Sequence, residues 1–268
     1  MRIGLVQMRC EKGTIARNLE VTLRHLDQAT SLGIDILAFP EMSITGYADP
    51  TRCAQAVLRL DGPEVAALAD LTRERAVTVL AGLIEENPHG KPFVTQVVLR
   101  DGKLVGFYRK VTIEGDELPW FSPGNAVPVF RHDDMTFGLA VCADISNCGV
   151  FAECARQGAT IVFEVAAPGL YGERTTRDWR ASFEWWEGEC RKHLGGYALK
   201  HGLWIAVATQ AGRTVDEDFP GGGYVFAPGG DRVYATPDWK PCAVYLDLDL
   251  CSHGVKVLGP HSEEPSAA

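Results

Sequence analysis

Short apolar runs alternate with longer amphipathic patterns through the first third of the chain. The apolar runs are residues 2–8, 35–39 and 77–84, and each has a length typical of a buried β-strand. Between them, residues 15–32 and 64–75 repeat apolar side chains at a spacing close to that of an amphipathic helix. This strand-helix-strand-helix-strand order predicts a sheet with helices packed on it.

From residue 93 onward the pattern changes to paired strands. Residues 93–100 and 103–108 flank Asp101-Gly102, which predicts a tight hairpin with a type I′ turn, and residues 127–130 and 136–141 predict a second hairpin. The remaining predicted elements are helices at 151–156 and 178–201 and strands at 160–165, 203–209, 224–227, 232–235 and 244–248. Strands of mixed direction with two groups of helices predict an α/β fold. Two mixed sheets would pack together with helices outside, as a four-layer α-β-β-α sandwich.

The domain organisation follows from the absence of any dividing segment. No repeat, low-complexity tract or linker interrupts the chain, and its glycines and prolines are spread along it as turn residues. We therefore expect a single domain covering residues 1–268. Its last segment, residues 252–268, has little periodicity, and we expect this tail either to fray or to pack on a partner subunit.

Charge and apolar content narrow the classes of partner. A formal net charge of −9 argues against a general binder of nucleic-acid backbones. No apolar window reaches the length of a membrane span, and residues 3–8 are too short for the apolar core of a secretory signal. We expect a cytoplasmic protein without nucleic-acid or membrane partners.

The eight cysteines are scattered along the chain without a metal-binding or disulfide pattern. There is no C-x-x-C motif, and the six-residue intervals between Cys142, Cys148 and Cys154 do not place three thiols on one helix face. We therefore expect free thiols and no metal site.

Three chemically capable side chains follow predicted strands. Cys142 ends the apolar run 137–141, Glu41 follows the run 35–39, and Lys110 follows the strand 103–108. Each alone has an ordinary structural explanation, because thiols are frequently packing groups and charged side chains are common at the surface. Strand ends nevertheless hold reactive groups rigidly within reach of a cleft.

The segments around these residues resemble the nitrilase superfamily of carbon–nitrogen hydrolases, whose members carry a Glu-Lys-Cys triad in this chain order. The resemblance rests on Phe39-Pro40-Glu41 with Thr45-Gly46-Tyr47, on Tyr108-Arg109-Lys110, and on Val141-Cys142-x-Asp144. Glu117, seven residues after Lys110, resembles the second glutamate of family members.

The resemblance implies a role for each of these residues and no cofactor. Cys142 would be the nucleophile and Glu41 the general base, since a thiol near its usual pKa is mostly protonated at neutral pH. Lys110 and the backbone N–H of Ala143 would stabilise the oxyanion. Glu117 would orient the substrate nitrogen or the water. Relatives commonly form dimers or larger homo-oligomers, which we expect here too.

Substrate contacts are expected from Tyr47, Glu164 and Ala166. Glu164 interrupts the apolar stretch 161–166 at the end that should face the cleft. A buried carboxylate there needs a partner or a cationic group on the substrate.

The sequence also departs from the family pattern at positions near the pocket. Thr112 stands where a histidine is common, Ala143 replaces an aromatic residue, and residues 146–148 replace a Phe-Pro-Glu segment. Cys142-x-Asp144 is more similar to the amidase and carbamoyl-hydrolase branches than to true nitrilases. We therefore expect hydrolysis of a small linear amide to a carboxylic acid and ammonia or an amine, through a cysteine thioester.

Two kinds of alternative remain open from the sequence. Within the family, the substrate could be an N-carbamoyl amide or a nitrile. Outside it, the chain could be a non-catalytic interaction module, or a thiol redox sensor using Cys142 with Cys148.

Overall fold

A computed structural model describes residues 1–170, 172–173 and 175–262. The helices are α1 Ile15–Ser31, α2 Pro63–Asp70, α3 Cys148–Arg156 and α4 Trp179–His201. The strands are β1 Arg2–Gln7, β2 Ile36–Ala38, β3 Val57–Leu58, β4 Thr78–Glu85, β5 Phe93–Arg100, β6 Lys103–Arg109, β7 Val129–His132, β8 Met135–Val141, β9 Ile161–Ala166, β10 Trp204–Thr209, β11 Ala211–Arg213, β12 Asp218–Pro220, β13 Gly223–Phe226, β14 Arg232–Ala235, β15 Cys242–Leu248 and β16 Val255–Ser262.

Two mixed sheets carry most of these strands. The first has the order β16-β15-β1-β2-β4-β5-β6, with β3 paired to β4, and its centre, β1-β2-β4, is parallel. The second has the order β14-β13-β10-β9-β8-β7, and its centre, β8-β9-β10, is also parallel. Parallel strands bring their carboxyl ends to one edge, where binding residues of α/β proteins collect.

Three layers of apolar side chains hold the molecule together. One lies between the two sheets, where residues such as Ile3 and Leu80 of the first sheet meet Phe137 and Phe163 of the second. A second layer joins the first sheet to α1 and α2, and a third joins the second sheet to α3 and α4. The prediction of two packed sheets with helices on both outer faces is confirmed.

The ends of the long helix follow from its sequence. The Asp178 side chain accepts a hydrogen bond from the Ala181 N–H at 3.0 Å, and so caps the start of α4. Gly202, with φ of +63°, ends the helix in the left-handed conformation that glycine adopts without strain. The predicted bounds 178–201 therefore agree with the observed Trp179–His201.

The tight hairpin also forms as predicted. Asp101 and Gly102 both have positive φ, +51° and +74°, as a type I′ turn requires. They join β5 to β6, the strand that ends immediately before Lys110, and the register of the pair shifts once, between Val98 and Leu99.

The structure differs from the prediction at the C-terminus. Within residues 252–268, predicted as a tail, Val255–Ser262 forms β16 and pairs antiparallel with β15 at the edge of the first sheet. The side chains of Lys256 and Val257 are exposed, so the strand depends on backbone pairing and leaves no periodic apolar pattern. Residues 263–268 lie outside the described residues.

Other differences are small. Helix α2 ends at Asp70 instead of residue 75, because Glu74 takes a left-handed conformation and the Thr72 hydroxyl bonds back to the Ala69 carbonyl. The short strands β3, β11 and β12 were not predicted. No helix in the described ranges is long and apolar enough to cross a membrane.

Candidate active site

Glu41 lies in a tight turn just beyond the carboxyl end of β2 and is fully buried. The turn passes so close to β4 that a Cβ at Gly82 would lie 2.2 Å from the Met42 nitrogen. Met42 itself has φ of +49°, and the Ser43 hydroxyl accepts from the Gly82 N–H at 3.0 Å. The packing of the turn against a glycine fixes the direction of the Glu41 carboxylate.

Lys110 immediately follows β6 and extends inward until its ammonium is buried with the side chain 1% exposed. Nζ lies 2.9 Å from Glu41 Oε1 and 2.7 and 2.8 Å from the two carboxylate oxygens of Glu117. The ammonium therefore bridges two buried carboxylates, which supply the compensation that a buried cation needs.

Glu117 ends a short 3₁₀ turn, Gly115–Glu117, and is also buried. The Tyr47 hydroxyl donates to Glu117 Oε1 at 3.0 Å, so this carboxylate has a second anchor besides Lys110. On the other side, the Ala167 N–H donates to Glu41 Oε2 at 3.0 Å. Both carboxylates are therefore held in position before any substrate arrives.

Cys142 follows β8 directly and begins a 3₁₀ turn, Cys142–Ser146. Its φ is +46°, a left-handed conformation that is strained for a side chain other than glycine. Such strain is found where the surrounding structure imposes it, and it turns the thiol out of the strand. Ala143 is the second residue of the turn, so its N–H has no acceptor within the turn.

Burial sets the protonation of the site. Burial raises the pKa of Glu41 to about 7, partly offset by the charge of Lys110. Burial and the neighbouring Glu41 also raise the pKa of the Cys142 thiol well above its usual value, although Lys110 acts in the opposite direction. For Lys110, burial alone would lower the pKa, but Glu41, Cys142 and Glu117 outweigh it and raise the pKa. The resting site therefore holds a neutral thiol, a cationic lysine and a carboxyl group that ionises near neutrality.

A cavity of about 180 Å³ opens onto these groups. Its lining residues are Tyr47, Lys110, Glu114, Asp116, Glu117, Cys142, Ala143, Ala167, Pro168, Gly169 and Glu217. A larger groove of about 680 Å³ lies between residues 124–128 and α3, but none of the triad candidates lines it. The smaller cavity is therefore the candidate active site.

The structure brings together Glu41, Lys110, Glu117, Cys142, Ala143 and Tyr47. Glu164 and Ala166 are different, because both are fully buried in β9 and neither lines the cavity. The next residue, Ala167, takes the place expected of Ala166. Cys53, Cys142, Cys148, Cys154, Cys190 and Cys251 are free thiols, and no group of three or more possible metal ligands occurs in the described part of the chain.

The sequence model of one family, described as carbon-nitrogen hydrolase, matches residues 2–253. The chain belongs to the carbon-nitrogen hydrolase family. The resemblance to the nitrilase superfamily is thereby confirmed.

Three relatives illustrate the range of this family. A glutamine-dependent NAD(+) synthetase of Acinetobacter baylyi is 22% identical over 264 residues, covering 97% of this chain and 46% of the synthetase. An (R)-stereoselective amidase of a Pseudomonas species is 31% identical over 163 residues, covering 60% of this chain and 58% of the amidase. The crystal structure of an amidase from Nesterenkonia sp. has a TM-score of 0.79 at 23% identity, covering 93% of this chain and 90% of the amidase. This chain thus spans less than half the length of the synthetase it matches, and the structural likeness supports the shared fold.

Asp144 is a further residue that organises the site of this carbon-nitrogen hydrolase. Its Oδ2 accepts from the Tyr108 hydroxyl at 2.6 Å and the Val141 N–H at 2.9 Å, and its Oδ1 accepts from the Thr112 N–H at 2.9 Å. Tyr108 and Thr112 stand on either side of Lys110. One buried carboxylate therefore ties the lysine segment to the cysteine turn. The Cys-x-Asp motif drew attention to this residue, but the sequence does not reveal its partners.

We expect Asp144→Asn to lower kcat by about 10-fold to 100-fold while KM changes by about twofold or less. The asparagine side chain has only one oxygen that can accept hydrogen bonds. Its NH₂ group would face a backbone or hydroxyl donor, so the lysine segment and the cysteine turn would shift apart. Steady-state kinetics would check this, with Asp134→Asn on the exposed β7–β8 turn as the matched control. Unchanged kcat in the Asp144 variant would contradict the coupling.

The sequence also missed the acidic character of the cavity mouth. Glu114 and Asp116 lie on the segment before Glu117, while Glu217 comes from the loop between β11 and β12. Glu217 pairs with Lys12, whose Nζ lies 3.0 Å from its Oε2. No sequence signal links residue 217 to the site, because only the tertiary fold brings that loop to the cavity.

Proposed function

We propose that this enzyme hydrolyses the C–N bond of small linear amides through a thioester on Cys142. One observation carries the proposal: a buried ammonium, fixed between the carboxylates of Glu41 and Glu117, stands beside a strained cysteine in a small cavity. This arrangement supplies a base, a cation and a nucleophile at one point, as acyl transfer requires.

In the first half of the reaction, Glu41 takes the thiol proton as Cys142 Sγ attacks the amide carbon. An S–C bond forms, and the carbonyl oxygen becomes an oxyanion stabilised by Lys110 Nζ and the N–H of Ala143. Glu41 then gives its proton to the amide nitrogen, the C–N bond breaks, and ammonia or an amine leaves. An acyl thioester remains on Cys142.

In the second half, water takes the place of the leaving nitrogen. Glu41 accepts a proton from the water as its oxygen attacks the thioester carbon, again forming an oxyanion. The C–S bond breaks, the carboxylic acid leaves, and the proton on Glu41 returns to the thiol. Glu117, fixed by Tyr47 and Lys110, orients the nitrogen or the water.

The cavity favours small substrates. The cavity has a volume of about 180 Å³, against about 680 Å³ for the groove beside α3. An amide with a short acyl chain fits this space, in keeping with the amidases among the relatives.

The pH dependence follows from Glu41, whose pKa burial raises to about 7. Only the ionised carboxylate can accept the thiol proton, so we expect kcat/KM to fall about tenfold per unit of pH below that value. Measurement of kcat/KM between about pH 5 and pH 9 would check this. The control for general effects of pH is Glu85→Gln, because the Glu85 carboxylate pairs with Arg109 and does not line the cavity. A rate that stays constant down to about pH 5 would contradict the assignment of Glu41 as the base.

A second candidate is the hydrolysis of an amide that also bears an amine, such as glutamine. The observation that favours it is the acidic mouth, where Glu114, Asp116 and Glu217 face the cavity and Lys12 offsets part of the charge. Several of the relatives are glutamine-dependent NAD(+) synthetases. The carboxylates at the mouth would attract the ammonium group while the amide reaches Cys142.

Paired substrates would separate the two candidates. If an amine is recognised, we expect kcat/KM for glycinamide or glutamine to exceed kcat/KM for propionamide. In the Glu114→Gln/Asp116→Asn variant, the ratio of these two kcat/KM values should be about tenfold lower than in the wild type. The same variant should hydrolyse propionamide as the wild type does. If the wild type and the variant show the same ratio of kcat/KM for the amine-bearing and the plain amide, the plain amide is the favoured substrate.

The experiment that tests the main proposal is to trap the acyl-enzyme. The protein is incubated with a mixed library of amides, N-carbamoyl compounds and nitriles, quenched in acid, and the Cys142 peptide is weighed. An acyl group on Cys142, identified by its mass, supports amide hydrolysis. A carbamoyl group or a nitrile-derived adduct supports one of the alternatives within the family. If no compound gives an adduct, the thioester mechanism is contradicted.

A further inference from the structure

Asn18 is a polar residue on the buried face of α1, with 0% of its surface exposed. Its side-chain NH₂ group donates to the Ile44 carbonyl at 2.9 Å and to the Glu11 carbonyl at 2.8 Å, and its oxygen accepts from the Glu11 N–H at 3.0 Å. These bonds use the oxygen and the NH₂ group together, so they permit a single orientation of the amide. One side chain of the outer helix layer therefore joins two separate backbone segments.

The first of these segments is the turn that carries Glu41. At both ends of the turn, the backbone N–H pairs with a carbonyl of β4, from Phe39 at the start and from Ile44 near the end. The carbonyls of the same two residues accept from side-chain amides instead, that of Phe39 from Gln96 at 3.1 Å and that of Ile44 from Asn18. The turn therefore depends on buried amides where the sheet offers its carbonyls no partner.

The second segment begins at Glu11 and packs on the end of the same turn. The Gly13 N–H donates to the Thr45 carbonyl at 2.8 Å. A Cβ at Gly46 would lie 2.6 Å from a backbone carbon of this segment, so the two stretches of chain are in close contact. Because Asn18 holds both the N–H and the carbonyl of Glu11, it also fixes the surface on which the turn rests.

We propose that Asn18 is a positioning residue for Glu41, because its amide holds the turn in place and so keeps the carboxylate between its two partners in the site. Those partners are Lys110 Nζ at 2.9 Å and the Ala167 N–H at 3.0 Å, and Ala167 follows β9 of the second sheet. The carboxylate thus spans from one sheet to the other, and a shift of the turn would lengthen both bonds. The inference rests on the proposed role of Glu41 as the base, and it adds a residue that does not line the cavity.

A purely structural role for Asn18 predicts a different result. An apolar side chain in its place would leave three buried backbone groups without this partner, the N–H and carbonyl of Glu11 and the carbonyl of Ile44, and would lower stability. If that were the whole effect, the molecules that remain folded would work as the wild type does. If Asn18 positions Glu41, the folded enzyme itself has a misplaced base.

Asn18→Leu is the test variant, with two controls on the same buried face of α1. Thr22→Val removes a buried hydroxyl that donates within the helix, to the Asn18 carbonyl at 2.9 Å, and Leu26→Ala lowers stability without touching the turn. We expect Asn18→Leu to lower kcat by about tenfold or more, with KM within about twofold of the wild type. Both controls should keep kcat, although Leu26→Ala should melt at a lower temperature.

The pH dependence of kcat/KM adds a readout that lower stability alone would not change. Burial raises the pKa of Glu41 to about 7, and the charge of Lys110 opposes that effect. A weaker contact with Lys110 in Asn18→Leu should raise this pKa further, so the fall of kcat/KM at low pH should begin about half a pH unit to one unit higher. The titratable groups that face Glu41 are unchanged in all three variants: Lys110, Glu117, Cys142, Tyr47 and Glu164.

The proposal is overturned if Asn18→Leu keeps the wild-type kcat, if its fall at low pH stays at the wild-type position, or if either control shows the same shift. Asn18→Ala replaces the leucine variant if that variant does not fold. The rate of Cys142 alkylation by iodoacetamide, followed by the mass of the Cys142 peptide, is measured over the same pH range and needs no substrate. A wild type that hydrolyses no amide would count against the proposed function, while a shift in the pH dependence of alkylation would still decide the role of Asn18.

Discussion

Cys142→Ala is expected to abolish amide hydrolysis, with kcat lower by about 10⁴-fold or more. In the proposed mechanism the loss is large because the thiol forms and breaks the covalent bond, and Lys110 and Glu41 have nothing to act on without it. Ammonia release from acetamide or propionamide would be measured beside acyl trapping on the same protein.

The control for this variant is Cys148→Ala, since Cys148 is an exposed thiol six residues further along the chain. It should keep wild-type turnover if the chemistry belongs to Cys142. This control also tests a redox sensor, because a disulfide between the two cysteines would disappear in either variant. Turnover that survives in Cys142→Ala, or fails in Cys148→Ala, would contradict the thioester mechanism.

The parts of the fold that the sequence predicts well are those whose signal is local. The Asp101-Gly102 turn needs positive φ at both positions, which few dipeptides accept, so residue type alone identifies it. The limits of α4 are similarly marked by Asp178 and Gly202. By contrast, β16 is an edge strand that depends on pairing with β15, and its residues 255–259 show no alternation of buried and exposed side chains.

The features of the candidate site also divide into those that the sequence identifies and those that depend on the tertiary structure. Glu41, Lys110 and Cys142 stand at strand ends within recognisable segments, so the sequence identifies them. It does not determine which face of β9 carries Glu164, because that depends on how the strand is seated between β8 and β10. It also cannot reveal the left-handed conformation of Cys142, or the backbone N–H of Ala167 that reaches Glu41. Those features belong to the tertiary structure.

The charge balance of the site explains why Lys110 has two functions. Glu41 and Glu117 both pair with one ammonium, and all three groups are removed from water. Two carboxylates with one cation leave an excess negative charge, and the raised pKa of Glu41 allows that carboxyl group to hold a proton near neutrality. The lysine thus stabilises the resting site and, in the proposed mechanism, the oxyanion.

Lys110→Met is therefore expected to affect both activity and stability. The loss of one oxyanion donor and of the cation beside the thiol should lower kcat by about 10³-fold or more. Breaking a buried ion pair from one side should lower the free energy of unfolding by about 3–5 kcal/mol at neutral pH, because two carboxylates remain without compensation. Steady-state kinetics and urea denaturation would measure the two effects separately.

The double variant Lys110→Met/Glu117→Gln distinguishes these two functions. It removes one of the uncompensated carboxylates, so it should regain much of the lost stability while kcat stays as low as in Lys110→Met. The stability deficit of the single variant should also shrink from about pH 8 to about pH 5, because burial already raises the pKa of Glu41, loss of the lysine charge raises it further, and protonation of Glu41 relieves the repulsion. If kcat returned with stability in the double variant, Lys110 would serve only to hold the fold together. A recovery of stability with kcat well below that of Glu117→Gln alone would support a role of the ammonium at the oxyanion, because Glu117 is itself proposed to orient the nitrogen or the water.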